Sequence, residues 1–314
     1  MPHDHGVELG AADADKSRRL IFATVLNVGI VAAEIIGALV SGSLALLADA
    51  GHNFADVFAL ALSLFALRLA CRVPTDTRTY GWHRAETFAA LLNGLSLFVI
   101  ALLIGREAWF RFLAPPEIKM GPMLIVALIS LAANWLVMTR LSGHTHDLNI
   151  HAAYLHMLGD VFASAGVVVA AILMRFTHWY LADPIISAVI AVLILGNAWR
   201  VVDEAIHILL LGVPRHLNVR KIAEAMQQVP DVTEVHNLRL WAPCSNVYIL
   251  SAHVVTCAAE EEQRVALREQ LRHLLAHEYG ISEVTLELEE TACPVPGLIS
   301  ALAHPEPDEH DHDH

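Results

Sequence analysis

Two segments of the sequence repeat one pair of metal-binding residue types at one spacing. His52 precedes Asp56 by four residues, and His156 precedes Asp160 by four. Residues at positions i and i+4 of an α-helix share one face, so each imidazole would lie beside its carboxylate. Two imidazoles and two carboxylates suit tetrahedral zinc, and imidazole also binds cobalt, nickel and copper. The repeated pattern predicts a site for a divalent metal without selecting among these metals.

Two further acids lie in similar apolar surroundings. Asp49 precedes His52 by three residues and would share its helix face. We interpret Asp49 as the acceptor of the second ring N–H of His52, because ligating histidines usually donate that hydrogen. A fifth ligand and a vestibule residue are the alternatives. Glu34 would either lie on a proton or ion path or join two helices. Asparagines in the apolar segments are expected to hydrogen-bond between helices: Asn27, Asn93 and Asn134.

The elements that would hold these residues are apolar segments long enough to cross a membrane. The 314-residue chain is 55% hydrophobic and only 17% charged, whereas soluble domains carry about a quarter charged residues. A bilayer core requires about 20 apolar residues of helix. Six segments meet this requirement: Leu20–Val40, Leu44–Leu67, Thr87–Phe110, Pro122–Met138, His151–Met174 and Trp179–Ala198. This composition excludes a disordered chain and a purely soluble enzyme.

The two motifs fall at comparable depths in their predicted spans. At about 1.5 Å of rise per residue, Asp56 lies about 18 Å from one end of its span and Asp160 about 14 Å from an end of its own. Because buried ionisable groups are costly in a bilayer, a pair that only joins helices is the weaker alternative. Small residues beside both motifs would let the two helices approach closely: Ala48, Gly51, Ala55, Gly159, Ala163 and Gly166.

Basic residues near the predicted spans indicate the orientation of the chain. If the amino terminus is cytoplasmic, nine Lys and Arg residues flank the inner ends of the spans and four flank the outer ends. This bias predicts that both termini lie in the cytoplasm. The net charge of −13 argues against a nucleic-acid partner.

The sequence beyond residue 211 changes to mixed polar and apolar residues. It predicts helix, strand, strand, helix and strand in turn, and this αββαβ order suits an α+β domain with helices on one face of a sheet. We therefore predict an all-α transmembrane domain of six helices over residues 18–211 and a cytoplasmic α+β domain over 212–293. The His-containing tails, residues 1–17 and 294–314, are expected to be disordered.

Four motifs together carry a resemblance to a known family: SLALLADAGHNFAD at residues 43–56, YGWHRAE at 80–86, LNIHAAYLHMLGD at 148–160 and VHNLRLW at 235–241. They resemble the zinc-type branch of the cation diffusion facilitator family. The resemblance covers roughly residues 18–293. It implies a homodimer in a bacterial inner membrane that exports cytoplasmic zinc, or cadmium, in exchange for protons. The transport ligands would then be His52, Asp56, His156 and Asp160.

The resemblance also implies a metallochaperone-like fold for the cytoplasmic domain, with zinc as a regulatory ligand. His236 and His253 match family positions that bind such a metal. Glu287 and Glu289 lie on the last strand, where relatives carry His, Gln or an acid. The alternative is that these histidines only occupy a half-exposed strand.

The loop before the fifth predicted span departs from many zinc-type relatives. It is short, from Ser142 to Ile150, and contains His144 and His146. These histidines would either guide metal or belong to a solvated turn. His83, in the second motif, is a further candidate for a metal or proton path.

Other classes of function fit the sequence less well. Intramembrane metalloproteases use an H-E-x-x-H motif, which this sequence lacks, and we predict a transporter rather than an enzyme. A membrane metal sensor without flux would not need ligands that are reachable from both sides of the bilayer. A cobalt- or nickel-preferring exporter of the same family is the alternative within the same mechanism.

Overall fold

The computed structural model describes residues 27–141, 148–244, 247–258, 260–291 and 297–300. The side chains of residues 140–153 and of His156 lie outside the described part, as do both predicted tails apart from residues 297–300. The described chain forms two compact units. The first contains the residues up to Arg68 and Phe88–Asp203, and the second contains Leu69–Thr87 and the residues from Glu204 onward.

Long apolar helices dominate the first part of the described chain: α1 (Asn27–Ser41), α2 (Leu44–Ala70), α3 (Arg84–Leu113), α4 (Met120–Leu141), α5 (Leu148–Thr177) and α6 (Ala182–Leu209). Five of them, α2 to α6, are long and apolar enough to cross a membrane, which confirms a transmembrane domain. The described part of α1 has 15 residues, fewer than the roughly 20 that a bilayer requires. Its predicted span begins at Leu20, outside the described residues.

Some helices continue beyond the predicted spans. The predicted sixth span ended at Ala198, whereas α6 ends at Leu209. The added turns contain charged residues, among them Arg200 and Glu204. Hydropathy detects the part of a helix that is apolar, but Arg and Glu are good helix formers and do not end the helix.

A tight junction joins α1 to α2. Gly42 has a φ of 76°, the left-handed conformation with which helices commonly end. Ser43 then caps α2, because its Oγ accepts a hydrogen bond from Leu46 N at 3.1 Å. The Asp183 carboxylate at the start of α6 accepts hydrogen bonds from Leu44 N at 2.9 Å and from Ala45 N at 3.1 Å. The first amides of α2 are thereby satisfied away from water.

Two of the glycines beside the motifs, Gly51 and Gly166, do not bring α2 against α5 as predicted. A Cβ on Gly51 would lie 3.2 Å from Ile100 Cγ2 of α3, and one on Gly166 would lie 3.7 Å from Ile186 Cγ2 of α6. Consecutive residues of a helix point about 100° apart, so the face that carries His52 cannot also present Gly51. The glycines allow close packing against other helices instead.

The second unit contains a small sheet with two helices. Its elements are α7 (Val219–Gln227), β1 (Val232–Cys244), β2 (Val247–Thr256), α8 (Glu261–Tyr279) and β3 (Glu283–Glu289), in the predicted αββαβ order. The sheet has the strand order β1-β2-β3, with β1 antiparallel and β3 parallel to β2. The parallel pair needs a crossover, which α8 provides. Apolar side chains of both helices, including Ile222, Met226 and Leu271, form its core with the sheet.

Candidate metal centres

The first candidate centre lies between α2 and α5 in the first unit. His52 Nε2 lies 3.1 Å from Asp160 Oδ1 and 3.9 Å from Asp56 Oδ2. One possible ligand atom of each residue lies within 4.8 Å of those of the other two. The Asp160 side chain is only 3% exposed, whereas that of Asp56 is 27% exposed. Imidazole and carboxylates so close together can share one divalent cation.

Helical spacing explains how these residues meet. His52 and Asp56 are one turn apart on α2, so they present one face to α5. On α5, the backbone of His156 lies four residues before Asp160, but the side chain of His156 lies outside the described part of the structure. Three of the four predicted ligands are therefore close together.

A cavity of about 570 Å³ leads to this cluster. Its lining includes His52, Asp56 and Asp160, together with Asn197 and Arg200 from the carboxyl-terminal half of α6. Gly159 also lines it, and no atom of the described residues outside its own helix backbone lies within 4 Å of where a Cβ on Gly159 would be. The cluster therefore lies in a cavity that is large enough for a small ion.

A buried polar network lies beside the cluster and begins at Glu34 on α1. The Glu34 carboxylate is fully buried. It accepts hydrogen bonds from Asn53 Nδ2 on α2, at 2.9 and 3.0 Å, and from Ser130 Oγ on α4. Glu34 therefore joins three helices, which agrees with its expected role as a contact between helices. Its other expected role, on a proton or ion path, stays a prediction.

Asp49 is the second buried acid of this network. Its Oδ2 accepts a hydrogen bond from Ser164 Oγ on α5 at 2.9 Å, and its Oδ1 has no hydrogen-bond partner among the described residues. Asn134 Nδ2 on α4 donates to Ser164 Oγ at 3.2 Å, which confirms the interhelical bond expected for this asparagine. The buried Oδ1 of Asn93 has no such partner in the described chain. The predicted bond from His52 to Asp49 stays a prediction.

The second candidate centre lies on the sheet of the second unit. His236 on β1 is paired with His253 on β2. Glu289 lies on the neighbouring strand β3. Glu289 Oε1 lies 2.6 Å from His253 Nδ1, and its Oε2 lies 3.3 Å from His236 Nε2. The ring of His236 is buried, yet neither of its nitrogens has a hydrogen bond within the described residues. The nitrogens of this buried imidazole therefore have room for a further partner such as a bound ion or a water molecule.

Glu287 occupies a different position from Glu289. Its Oε2 lies 3.5 Å from His253 Nε2, but its side chain is 68% exposed. Asn237 Nδ2 lies 3.0 Å from the same His253 nitrogen. Asn237 has a φ of 48° at an irregularity in the β1–β2 pairing, and such bulges re-aim side chains.

Of the three other predicted path residues, His83 is described, and it joins neither cluster. His83 lies in the second unit, with its Nδ1 3.8 Å from the Sγ of Cys244. His144 and His146 lie outside the described residues.

The sequence analysis missed several polar residues around the two centres: Asn53, Ser130, Ser164 and Asn237. Asn53 directly follows His52 within the first motif, so its position was a usable signal. Serines occur at helix contacts in many membrane proteins, and neither their type nor their spacing distinguishes Ser130 and Ser164. The bulge that turns Asn237 towards His253 depends on the strand pairing and has no signature in the local sequence.

These centres define the class of protein. Ionisable ligands in the interior of an apolar helix bundle are typical of substrate and ion pathways in membrane proteins. Residues 20–210 match the family model described as the cation efflux transmembrane domain, and residues 214–291 match that of the cation efflux protein cytoplasmic domain. The chain belongs to the cation diffusion facilitator family, as its motifs predicted.

Similar proteins match almost the whole chain. The zinc transporter ZitB of Escherichia coli (strain K12) is 35% identical over 300 residues, covering 94% of this chain and 95% of its own. A cadmium, cobalt and zinc/H(+)-K(+) antiporter of Bacillus velezensis is 33% identical over 300 residues and 93% of each chain. The metal cation efflux system protein CzcD of Cupriavidus metallidurans is 34% identical over 292 residues, covering 93% of this chain and 90% of its own.

Proposed function

We propose that this protein exports zinc from the cytoplasm in exchange for protons, with cadmium as a possible second substrate. Membership of the cation efflux family and the names of its similar proteins support divalent metal efflux. The observation that carries the assignment to this chain is the cluster of His52, Asp56 and Asp160 at the end of a cavity in the membrane unit.

We propose that His52, Asp56, His156 and Asp160 bind the transported ion. Two ligand atoms of a tetrahedral zinc lie about 3.3 Å apart when each bond is about 2.0–2.1 Å. The distances of 3.1 and 3.9 Å from His52 Nε2 to the two carboxylates bracket this value. The cluster therefore accepts zinc with small side-chain movements and does not require a rearrangement of the helices.

Protons drive the cycle through the ligands themselves. An imidazole must be neutral to bind a metal, so zinc binding displaces protons from the site. Imidazoles titrate near neutral pH, so protonation from the outer side weakens the site and releases zinc there. Alternating access then requires only that the inward- and outward-facing states differ in their affinity for zinc and protons.

The membrane arrangement follows from the same proposal. We assign six spans, with α1 completed by residues before Asn27, and we place both termini in the cytoplasm of a bacterial cell, with the spans in its inner membrane. The end of α6 at Leu209 is then cytoplasmic, so the cavity near Arg200 opens to the cytoplasm. We keep the predicted boundaries of the two tails, at residues 1–17 and 294–314, of the transmembrane domain, at 18–211, and of the cytoplasmic domain, at 212–293.

The cytoplasmic domain is proposed to have a metallochaperone-like fold and to bind regulatory zinc in a homodimer. His236, His253 and Glu289 would be the ligands, and the close approach of their atoms supports this assignment. Glu287 would stand at the edge of the site because its side chain is mostly exposed.

Metal uptake into inside-out proteoliposomes tests the proposed function. Vesicles with an imposed pH gradient receive zinc, cadmium, cobalt, nickel or manganese, with the wild type compared with Asp160→Ala. We expect zinc uptake to move protons the other way and to vanish in the variant. Preferential uptake of cobalt, which the Bacillus relative's name includes, would keep the mechanism and change the substrate. Zinc binding without uptake would indicate a sensor and refute the transporter.

A further inference from the structure

The network of Glu34 and Asp49 places two buried carboxylates in the membrane unit without a basic partner. Both side chains are fully buried, and in the described chain no Lys or Arg forms an ion pair with either. Their hydrogen-bond donors are neutral amides and hydroxyls. Two uncompensated negative charges in such surroundings would be strongly unfavourable. This cost favours a state in which one of the two groups carries a proton.

A count of hydrogens leads to the same conclusion. Three contacts link the two acids in a row: Glu34 to Ser130, Ser130 Oγ to Ser164 Oγ at 3.4 Å, and Ser164 to Asp49 at 2.9 Å. The middle contact is longer than the usual 2.5–3.0 Å of an O–H···O bond, so a modest approach of the two serines would close it. Two serine hydroxyls supply only two hydrogens for these three contacts. For all three contacts to be hydrogen bonds, the third hydrogen has to come from a carboxyl group at one end.

The side donors do not supply this missing hydrogen. Among the described residues, Asn53 donates to Glu34 alone, and Asn134 donates to Ser164. The Ser164 oxygen has two lone pairs, so it accepts from Asn134 and from Ser130 at the same time. The row therefore has two complete arrangements, with the carboxyl proton either on Glu34 or on Asp49.

We propose that Glu34 and Asp49 share one proton through the hydroxyls of Ser130 and Ser164, and that zinc binding at the neighbouring cluster expels it. Transfer from Glu34 breaks its O–H bond as the proton moves to Ser130. Ser130 passes its own hydrogen to Ser164, and Ser164 passes its own to Asp49. Each serine ends with one hydrogen, and the charge moves from one carboxyl to the other. This inference rests on the proposed exchange of zinc for protons and adds a second proton carrier to it.

The position of the network explains why zinc would act on it. Asp49 lies one turn before His52 on α2, and Ser164 lies one turn after Asp160 on α5. Both acids interact electrostatically with the titratable groups of His52 and Asp160. Helix α4 contributes a hydroxyl and an amide to the network and no titratable group among its described contacts there. A divalent charge at the cluster favours the ionised form of both acids. In the proposed orientation, the network lies on the outer side of the ligands.

Calorimetry of zinc binding to the full-length protein tests this proposal. Titrations in two buffers of different ionisation enthalpy give the number of protons released per zinc. All proteins carry His253→Ala, which removes the proposed cytoplasmic site. We expect Glu34→Gln to release about one proton fewer than the background protein. The glutamine amide supplies the third hydrogen of the row but cannot give up a proton. Unchanged proton release in a folded Glu34→Gln protein would overturn the proposal.

Serine variants provide the second measurement, which leaves both carboxyl groups in place. Ser130→Ala breaks the row without changing a charge, and Ser130→Thr restores the hydroxyl. We expect zinc uptake by Ser130→Ala to lose the part of its dependence on the pH gradient that the network contributes, and Ser130→Thr to regain it. Ser96→Ala, which removes an exposed hydroxyl on α3, is the matched control and should behave as the wild type. Equal gradient dependence in all variants would exclude the network, whereas a wild type without uptake would refute the exporter itself.

Discussion

The imidazole of His52 on α2 and the carboxylate of Asp160 on α5 are 3.1 Å apart, from Nε2 to Oδ1, although 108 residues separate them in sequence. This contact joins the two repeated motifs at one point in the membrane unit. A metal that binds both residues must replace the hydrogen bond between them. In the proposed function, the same two groups would therefore hold the helices together when the ion is absent and bind the ion when it is present.

The first prediction separates these two roles of Asp160. Asp160→Asn keeps the size of the side chain and an acceptor oxygen for His52, but it removes the negative charge that a cation requires. Loss of an outer hydrogen-bond partner of a metal ligand already lowers affinity by about 10–100-fold, so we expect zinc uptake to fall at least as far. The melting temperature should stay near that of the wild type.

A matched acid-to-amide change provides the control for this experiment. Glu107 on α3 forms a partly exposed ion pair with Arg111, at 2.9 Å, and does not line the cavity. Glu107→Gln should therefore transport zinc normally in the same vesicles. Normal uptake by Asp160→Asn would remove this residue from the proposed ligands.

The second prediction concerns two acids on one strand of the cytoplasmic domain. Glu289 reaches both His236 and His253 and is 19% exposed, whereas Glu287 reaches only His253 and is 68% exposed. In an Asp160→Asn background, we expect Glu289→Gln to weaken zinc binding at least about tenfold. Glu287→Gln should change it less than about threefold. Equal effects of the two substitutions would contradict the assignment of Glu289 as the ligand.

The proximity of His52 and Asp56 could be predicted because it depends on local helical geometry. The i, i+4 spacing of His52 and Asp56 fixes a common face wherever the helix lies. The partners of Glu34 could not be predicted in this way, because they depend on the arrangement of α1, α2 and α4. Gly51 illustrates the same limit. Its small size predicted a close helix contact, but only the packed bundle shows that the contact is with Ile100.

The third prediction tests how α2 is held in place. The Asp183 carboxylate accepts hydrogen bonds from Leu44 N, Ala45 N and the Ser43 hydroxyl, and it is fully buried. A negative charge at a helix amino terminus is also favoured by the helix dipole. Since hydrogen bonds to charged groups contribute about 1.5–3 kcal/mol each, we expect Asp183→Ala to destabilise the protein by at least about 2 kcal/mol.

Thermal unfolding in detergent measures this loss, with Asp183→Asn as a graded comparison. The asparagine keeps one acceptor oxygen for the α2 amides but lacks the charge. Its stability should therefore fall between those of the wild type and of Asp183→Ala. An alanine variant as stable as the wild type would show that Ser43 alone satisfies the start of α2.

The fourth prediction compares two glycines on α1. A Cβ on Gly37 would lie 2.8 Å from Val126 Cγ2 of α4, whereas a Cβ on Gly29 would meet no atom of the described residues within 4 Å. Valine has one stiff side-chain torsion and cannot easily move aside, so Gly37→Ala must push α1 and α4 apart. We expect it to cost about 1–3 kcal/mol, as overpacking commonly does. Gly29→Ala should be neutral or stabilise by up to about 1 kcal/mol, because alanine favours helix.

Because Glu34 and Ser130 join these same two helices, the displacement also has a functional consequence. Gly37→Ala should weaken the pH-gradient dependence of zinc uptake in vesicles, while Gly29→Ala should leave it unchanged. Thermal unfolding and flux measured on the same preparations test both expectations. If Gly37→Ala lowers stability but keeps the full gradient dependence, the spacing between α1 and α4 has no part in proton coupling.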